Sequence, residues 1–108
     1  MTTCVVCVKD YKPYNLYWTK PSLNNPYVYI GRWNRDIQIS SKWANPFAIG
    51  RNGTREEVIT KYREYILSKP ELLKLIPIEL KDKILGCWCK PLACHGDVLA
   101  EIADADNR

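Results

Sequence analysis

The chain has one histidine, one methionine and one phenylalanine among its 108 residues. It has no apolar run near the roughly 20 residues that a membrane-spanning helix needs, so no membrane partner is expected. There is no basic run, low-complexity tract or internal repeat, which argues against a charged tail or a solenoid. Met1-Thr2-Thr3 offers neither the basic start nor the apolar stretch of a secretory leader, so a cytoplasmic location is expected. What is present suits one globular domain: 46% apolar and 26% charged residues, in a chain long enough to bury a core without staples.

The charge is uneven. Residues 1–55 hold eight Lys/Arg against two Asp/Glu, and the remainder hold eight against ten. The basic half also carries Trp18, Trp33, Trp43 and five of the seven tyrosines. Cations among aromatics suit a nucleotide or single-stranded nucleic acid. A solvated surface over an aromatic core explains the same residues. Five cysteines, an odd number, point to reduced thiols rather than a disulfide framework. Cys4 and Cys7 sit in an apolar run and read as core.

Residues 4–8, 27–30 and 84–89 read as short strands. Residues 10–26, with Pro13, Pro21, Pro26 and Asn24-Asn25, read as a loop or arm, and 32–53 as a long irregular loop. Thr54 and Glu57 form a capping-box pattern ahead of a helix whose apolar face is Val58, Tyr62, Tyr65 and Ile66. A second helix is expected from Glu71 to Ile76, opened by Pro70 and ended by Pro77. A last helix is expected from about Gly96 to Ala103, with Val98, Leu99 and Ile102 inward. Some fifty residues with helices join the second and third strands, so these should be parallel with a right-handed crossover. The expected fold is a small three-layer, Rossmann-like α/β domain with a short, largely parallel sheet. An N-terminal strand and irregular arm (1–26) precede an α/β core (27–108).

In such sheets ligands bind at the carboxyl ends of the strands, where helix N-termini favour anions. Two loops converge there. The first holds Gly50-Arg-Asn-Gly-Thr-Arg55, where glycines admit an anion to the backbone and arginines fork onto phosphate. It lacks the Gly-Lys-Ser/Thr ending of a P-loop, and a plain turn with an N-cap explains it equally. The second loop holds Cys87, Cys89, Cys94, His95 and Asp97.

Three readings of the second loop stay open. Cys87, Cys89, Cys94 and His95 are a zinc-type donor set. However, two zinc-bound sulfurs lie about 3.8 Å apart, whereas positions i and i+2 of a strand lie about 6.6 Å apart. Alternatively Cys94, just before a helix start, is a ligand-facing or nucleophilic thiol with His95 as base and Asp97 nearby. Or the cysteines are packing residues and Asp97 caps the last helix.

Together with Tyr29-Ile-Gly-Arg32, three ordered motifs carry a resemblance. They are Ser41-Lys-Trp-Ala-Asn-Pro-Phe47, Gly53-Thr-Arg-Glu-Glu-Val-Ile59 and Gly86-Cys-Trp-Cys-Lys-Pro-Leu-Ala-Cys-His-Gly-Asp-Val-Leu99. Over roughly residues 27–104 the chain resembles an uncharacterised family of phage and bacterial proteins, domain of unknown function 4326. It departs from that pattern in the extra stretch Trp33 to Ser40 and in its first 26 residues. The resemblance implies a small cytosolic α/β protein and supplies no catalytic assignment.

The expected function is binding of a small anionic ligand, a nucleotide or nucleotide derivative, with hydrolysis or transfer as an extension. Arg32, Arg51 and Arg55 would hold phosphate, with Gly53 giving close backbone approach. Trp43 and Asn45 would border the pocket. Cys89, Cys94, His95 and Asp97 would form the opposite wall, the last three being the candidate catalytic group. No cofactor is expected on this reading. The alternative is a non-enzymatic module, with zinc on the four donors named above, that contacts nucleic acid or a host protein.

Overall fold

The computed structural model describes residues 2–19 and 24–105; Pro21, part of the predicted arm, lies outside them. Three strands form one parallel sheet: β1 (Cys4–Cys7), β2 (Tyr27–Tyr29) and β3 (Ile84–Cys87), in the order β1-β3-β2. Cys7 stands beside Cys87, and Tyr29 beside Gly86. The expected parallel pairing of the second and third strands is what forms.

Alternation along the strands sorts the side chains into two cores. Val5, Val28, Leu85 and Cys87 pack with Ile30, Trp43, Tyr62, Ile66, Val98 and Leu99. Val6, Tyr27, Tyr29, Ile84 and Trp88 pack with Val8, Trp18 and Ile37. Helices α2 (Arg55–Leu67), α4 (Ile76–Glu79) and α5 (His95–Ala105) supply the first core. The second is covered by α1 (Tyr14–Tyr17), a 3-10 turn at Val8–Asp10 and the loop after β2. The sheet is thus the middle layer of three.

The predicted capping box is present. Thr54 Oγ1 accepts from the Glu57 N–H at 3.2 Å, and Glu57 Oε1 accepts from the Thr54 N–H at 2.8 Å. Those bonds hold the Glu57 carboxyl below the usual carboxylate range. Thr54→Ala is expected to lower stability by about 1 kcal/mol, read as a lower urea midpoint at unchanged m.

Four expectations about elements need correction. Pro77 does not end a helix. A one-turn helix, α3 (Pro70–Leu73), comes first, and Pro77 lies in the first turn of α4, where its missing N–H costs nothing. β1 stops at Cys7, and Val8 starts the 3-10 turn. The 10–26 segment is not all loop, because burial of Trp18 stabilises the one-turn α1 before it. β3 ends at Cys87 rather than Cys89, since the chain has already turned.

Residues 32–53 form no helix or strand, yet the loop is anchored. Ile37 and Trp43 are buried, the Ser41 N–H donates to the Gly31 carbonyl at 3.0 Å, and Asn34 Oδ1 accepts from the N–H groups of Asp36 and Ile37.

Candidate functional site

A cavity of about 330 Å³ opens where the chain leaves β2 and β3. Gly31 and Arg32 continue from β2, and Cys87, Trp88 and Cys89 close β3. The first turns of α2 and α5 contribute Arg55, Val58, Ile59 and His95, with Cys94 just ahead of α5. Asn45, Phe47, Ala48 and Ile49 come from the long loop, and Ala93 completes the wall. The two predicted loops do meet: Arg55 Nη1 donates to the Ala93 carbonyl at 2.9 Å.

The cationic side is built from two fixed guanidiniums. Arg32 donates through Nε to the Asn45 carbonyl at 3.0 Å and through Nη2 to the Phe47 carbonyl at 2.9 Å. A guanidinium has five N–H donors, so these bonds and the one from Arg55 leave donors over on both residues. Asn45 is buried, with Oδ1 accepting from the Phe47 N–H at 2.9 Å. Trp88 Nε1 donates to Tyr29 Oη at 2.9 Å, and Tyr29 Oη donates to the Arg32 carbonyl at 2.6 Å. That relay ties the ends of β2 and β3 together at the cavity edge. Burial pushes the Tyr29 hydroxyl pKa up, so it stays a donor.

The sulfur side is tighter. Cys87 Sγ and Cys94 Sγ are 3.0 Å apart, and both residues are buried. Cys94 also takes the N-cap position of α5. Its Sγ accepts from the Gly96 N–H at 3.3 Å, while Asp97 Oδ2 accepts from the Cys94 N–H at 3.0 Å. The Cys94 sulfur thus serves the second open N–H of α5, while Asp97, within the first turn, reaches back to the Cys94 N–H. Its other oxygen accepts from Lys90 Nζ at 2.6 Å. The contact with Cys94 draws the Cys87 thiol pKa below its ordinary value, helped by the backbone N–H groups of Cys89 and Lys90. The same contact and burial push Cys94 the other way.

The His95 ring bonds to the backbone. Its Nε2 lies 2.8 Å from the Ile30 carbonyl, an acceptor, so Nε2 carries the proton. The ring stands edge-on to Tyr62, with centroids 4.9 Å apart. Burial holds its pKa below the ordinary histidine value.

The predicted residues therefore divide. Arg32, Asn45, Arg55, Cys89, Cys94 and His95 line the cavity, with Cys87 from the zinc set. Trp43 does not; it is buried in the core, and its carbonyl accepts from Tyr62 Oη at 2.7 Å. Arg51 and Gly53 do not line it either. Gly50 N–H donates to the Gly53 carbonyl at 2.7 Å, closing a turn with both glycines at positive φ and Arg51 exposed. That segment brings only Arg55 to the site. Asp97 sits behind the wall on Lys90 and the Cys94 amide. Cys94, His95 and Asp97 are adjacent in sequence, but their side chains bond to different partners.

Among the described residues no group of three or more His, Cys, Asp or Glu is arranged to hold a metal ion. His95 Nε2 donates to the Ile30 carbonyl, and the two sulfurs stand 3.0 Å apart, closer than the about 3.8 Å between two zinc-bound sulfurs. Sequence reasoning missed Phe47, Ile49, Val58 and Ile59 as cavity wall. The Asn45-Pro46-Phe47 motif was the available signal for Phe47, whereas the other three are indistinguishable from core residues by pattern.

A parallel three-stranded sheet between two layers, with a cavity at its strand ends facing two helix starts, defines a small three-layer α/β domain. The chain belongs to the family described as Domain of unknown function (DUF4326), whose model matches residues 15–105. The match reaches further back than the motifs do and takes in Trp18. The chain is 43% identical over 89 residues to the uncharacterized protein R718 of Acanthamoeba polyphaga mimivirus, covering 69% of this chain and 65% of that protein. It thus spans about two thirds of the length of that relative. It is 30% identical over 80 residues to an uncharacterized 12.4 kDa protein in the nrdA-td intergenic region of Enterobacteria phage T4, covering 70% of this chain and 72% of that one. No solved structure matches the chain. Among the described residues no helix is long and apolar enough to cross a membrane.

Proposed function

We propose that this domain binds a small anionic ligand, a nucleotide or nucleotide derivative, in the cavity at the carboxyl edge of the sheet. One observation carries the reading: Arg32 and Arg55 both line a single concave site beside the first turns of α2 and α5. Each guanidinium is held by backbone carbonyls, so little side-chain entropy is left to lose on gripping phosphate. The volume is within the range of small-ligand sites, about 300–1,000 Å³. The apolar wall with Trp88 and Phe47 suits a flat base, and the arginines suit the phosphate end.

A thermal-shift panel of nucleotides tests this. A ligand present at about 100 times its Kd should raise stability by about 2.7 kcal/mol. Arg55→Ala removes a charge-assisted contact and should weaken binding roughly tenfold or more. Arg51→Ala, on the exposed turn, should bind like the parent. No stabilisation by any nucleotide at millimolar concentration defeats the proposal.

A further inference from the structure

We propose that Cys87 and Cys94 are a redox-active dithiol, oxidised by hydrogen peroxide entering the cavity to an intramolecular disulfide across its floor. Three observations converge. The two sulfurs are already in contact at 3.0 Å. They are brought there by rigid elements, the last residue of the central strand and the N-cap of α5, so little of the fold must move to join them. Both line the cavity although almost nothing of either is otherwise exposed, which admits a molecule the size of peroxide and excludes bulky oxidants.

The electrostatics divide the two roles. The contact with Cys94, donors on the backbone at Cys89 and Lys90, and the nearby Lys90 ammonium all draw the Cys87 thiol pKa down. Those donors favour its thiolate, the nucleophilic form. Cys94 keeps its proton and is the resolving thiol. In the first step the Cys87 thiol gives its proton to water, its thiolate attacks one peroxide oxygen, the O–O bond breaks, the leaving hydroxide takes up that proton to form water, and Cys87 becomes a sulfenic acid. In the second step the Cys94 sulfur attacks the Cys87 sulfur, the S–O bond breaks, and the departing hydroxide with the Cys94 proton forms water. Two thiols and one peroxide thus give one disulfide and two waters. A small thiol reverses it by exchange. Cys89 is next but one to Cys87 and is left out of the contact, and Cys4 is exposed at the other end of the neighbouring strand, beside Ile84.

The test uses the whole reduced chain. After stoichiometric peroxide, denaturation and alkylation, the alkylated thiols should fall from five to three, with a loss of two hydrogens that dithiothreitol restores. Chymotrypsin cuts after Trp88 and Leu92 and so separates Cys87, Cys89 and Cys94. The disulfide should link the peptide ending at Trp88 to the one starting at Ala93. Cys89→Ser should leave that link intact. Cys94→Ser should abolish it and leave Cys87 as a sulfenic acid trapped by dimedone. The wild-type peptide map decides the matter even if the Cys94 variant folds poorly. A link through Cys89, or Cys87 and Cys94 both still alkylatable while Cys4 is oxidised, overturns the proposal.

Discussion

Trp18→Ala is expected to cost about 3–5 kcal/mol, a large share of the roughly 5–15 kcal/mol that holds a domain together. Trp18 is 2% exposed. Its indole lies on the central strand and meets the rings of Tyr11 at 5.7 Å and Tyr27 at 5.6 Å, both edge-on. The strand makes room for it with Gly86, where an added Cβ would fall 2.5 Å from Trp18 Cζ3 and 2.6 Å from Cη2. Gly86→Ala alone should therefore cost about 1–3 kcal/mol by overpacking. In the Trp18→Ala background the space is empty, and the same change should cost almost nothing. Urea unfolding of the four proteins closes the cycle, with an expected coupling of about 1–3 kcal/mol. An equal penalty for Gly86→Ala in both backgrounds would show that the indole does not cover this strand.

That contact also shows where the sequence stopped being legible. The strands were readable from their apolar runs, and the parallel order from the length of chain between Ile30 and Ile84. Thr54 and Glu57 announced α2 because capping is local chemistry. The position of the site followed from topology, since strand ends and helix starts must share an edge. Trp18 was hidden because its neighbours Pro13 and Asn24-Asn25 read as loop, and only tertiary burial makes α1 form. Pro77 was misread because the same ring that ends one helix suits the first turn of another. Within the site, spacing told that Cys87 and Cys89 could not converge on a strand. It did not tell that a turn after Cys87 would bring Cys94 back to it. His95 looked like a base because it was the only imidazole. Its partners, Ile30 and Tyr62, are far off in sequence, so nothing local revealed that its proton was already committed.

His95 makes the pH dependence of stability a clean test, because the chain has no other histidine. Its folded pKa is depressed, first by burial and further by the Arg32 charge, against the pull of the Ile30 and Trp43 carbonyls and Asp97. From that lowered value up to about 6.5, the ordinary histidine pKa, the unfolded chain binds more protons than the folded one. Stability should rise with pH through this window and be lost as pH falls through it. Glu57 and Glu101 are also depressed, but their effect lies below the ordinary carboxylate value of about 4.3. Cys87, depressed as well, adds a rise of the same sign that extends toward the ordinary thiol value of about 8.5. Comparison with His95 variants removes both contributions. At pH 8, His95→Leu keeps the bulk but strands the Ile30 carbonyl, and should cost about 1–3 kcal/mol. His95→Gln keeps an N–H donor for that carbonyl and should lose less. Towards pH 5 the gap between wild type and either variant should narrow, since only the wild type must bury or shed a proton. Urea midpoints at pH 5, 6, 7 and 8 read this directly. A gap that stays constant with pH would mean that His95 titrates alike in the folded and unfolded chains, and that its place against Ile30 is not the buried one described.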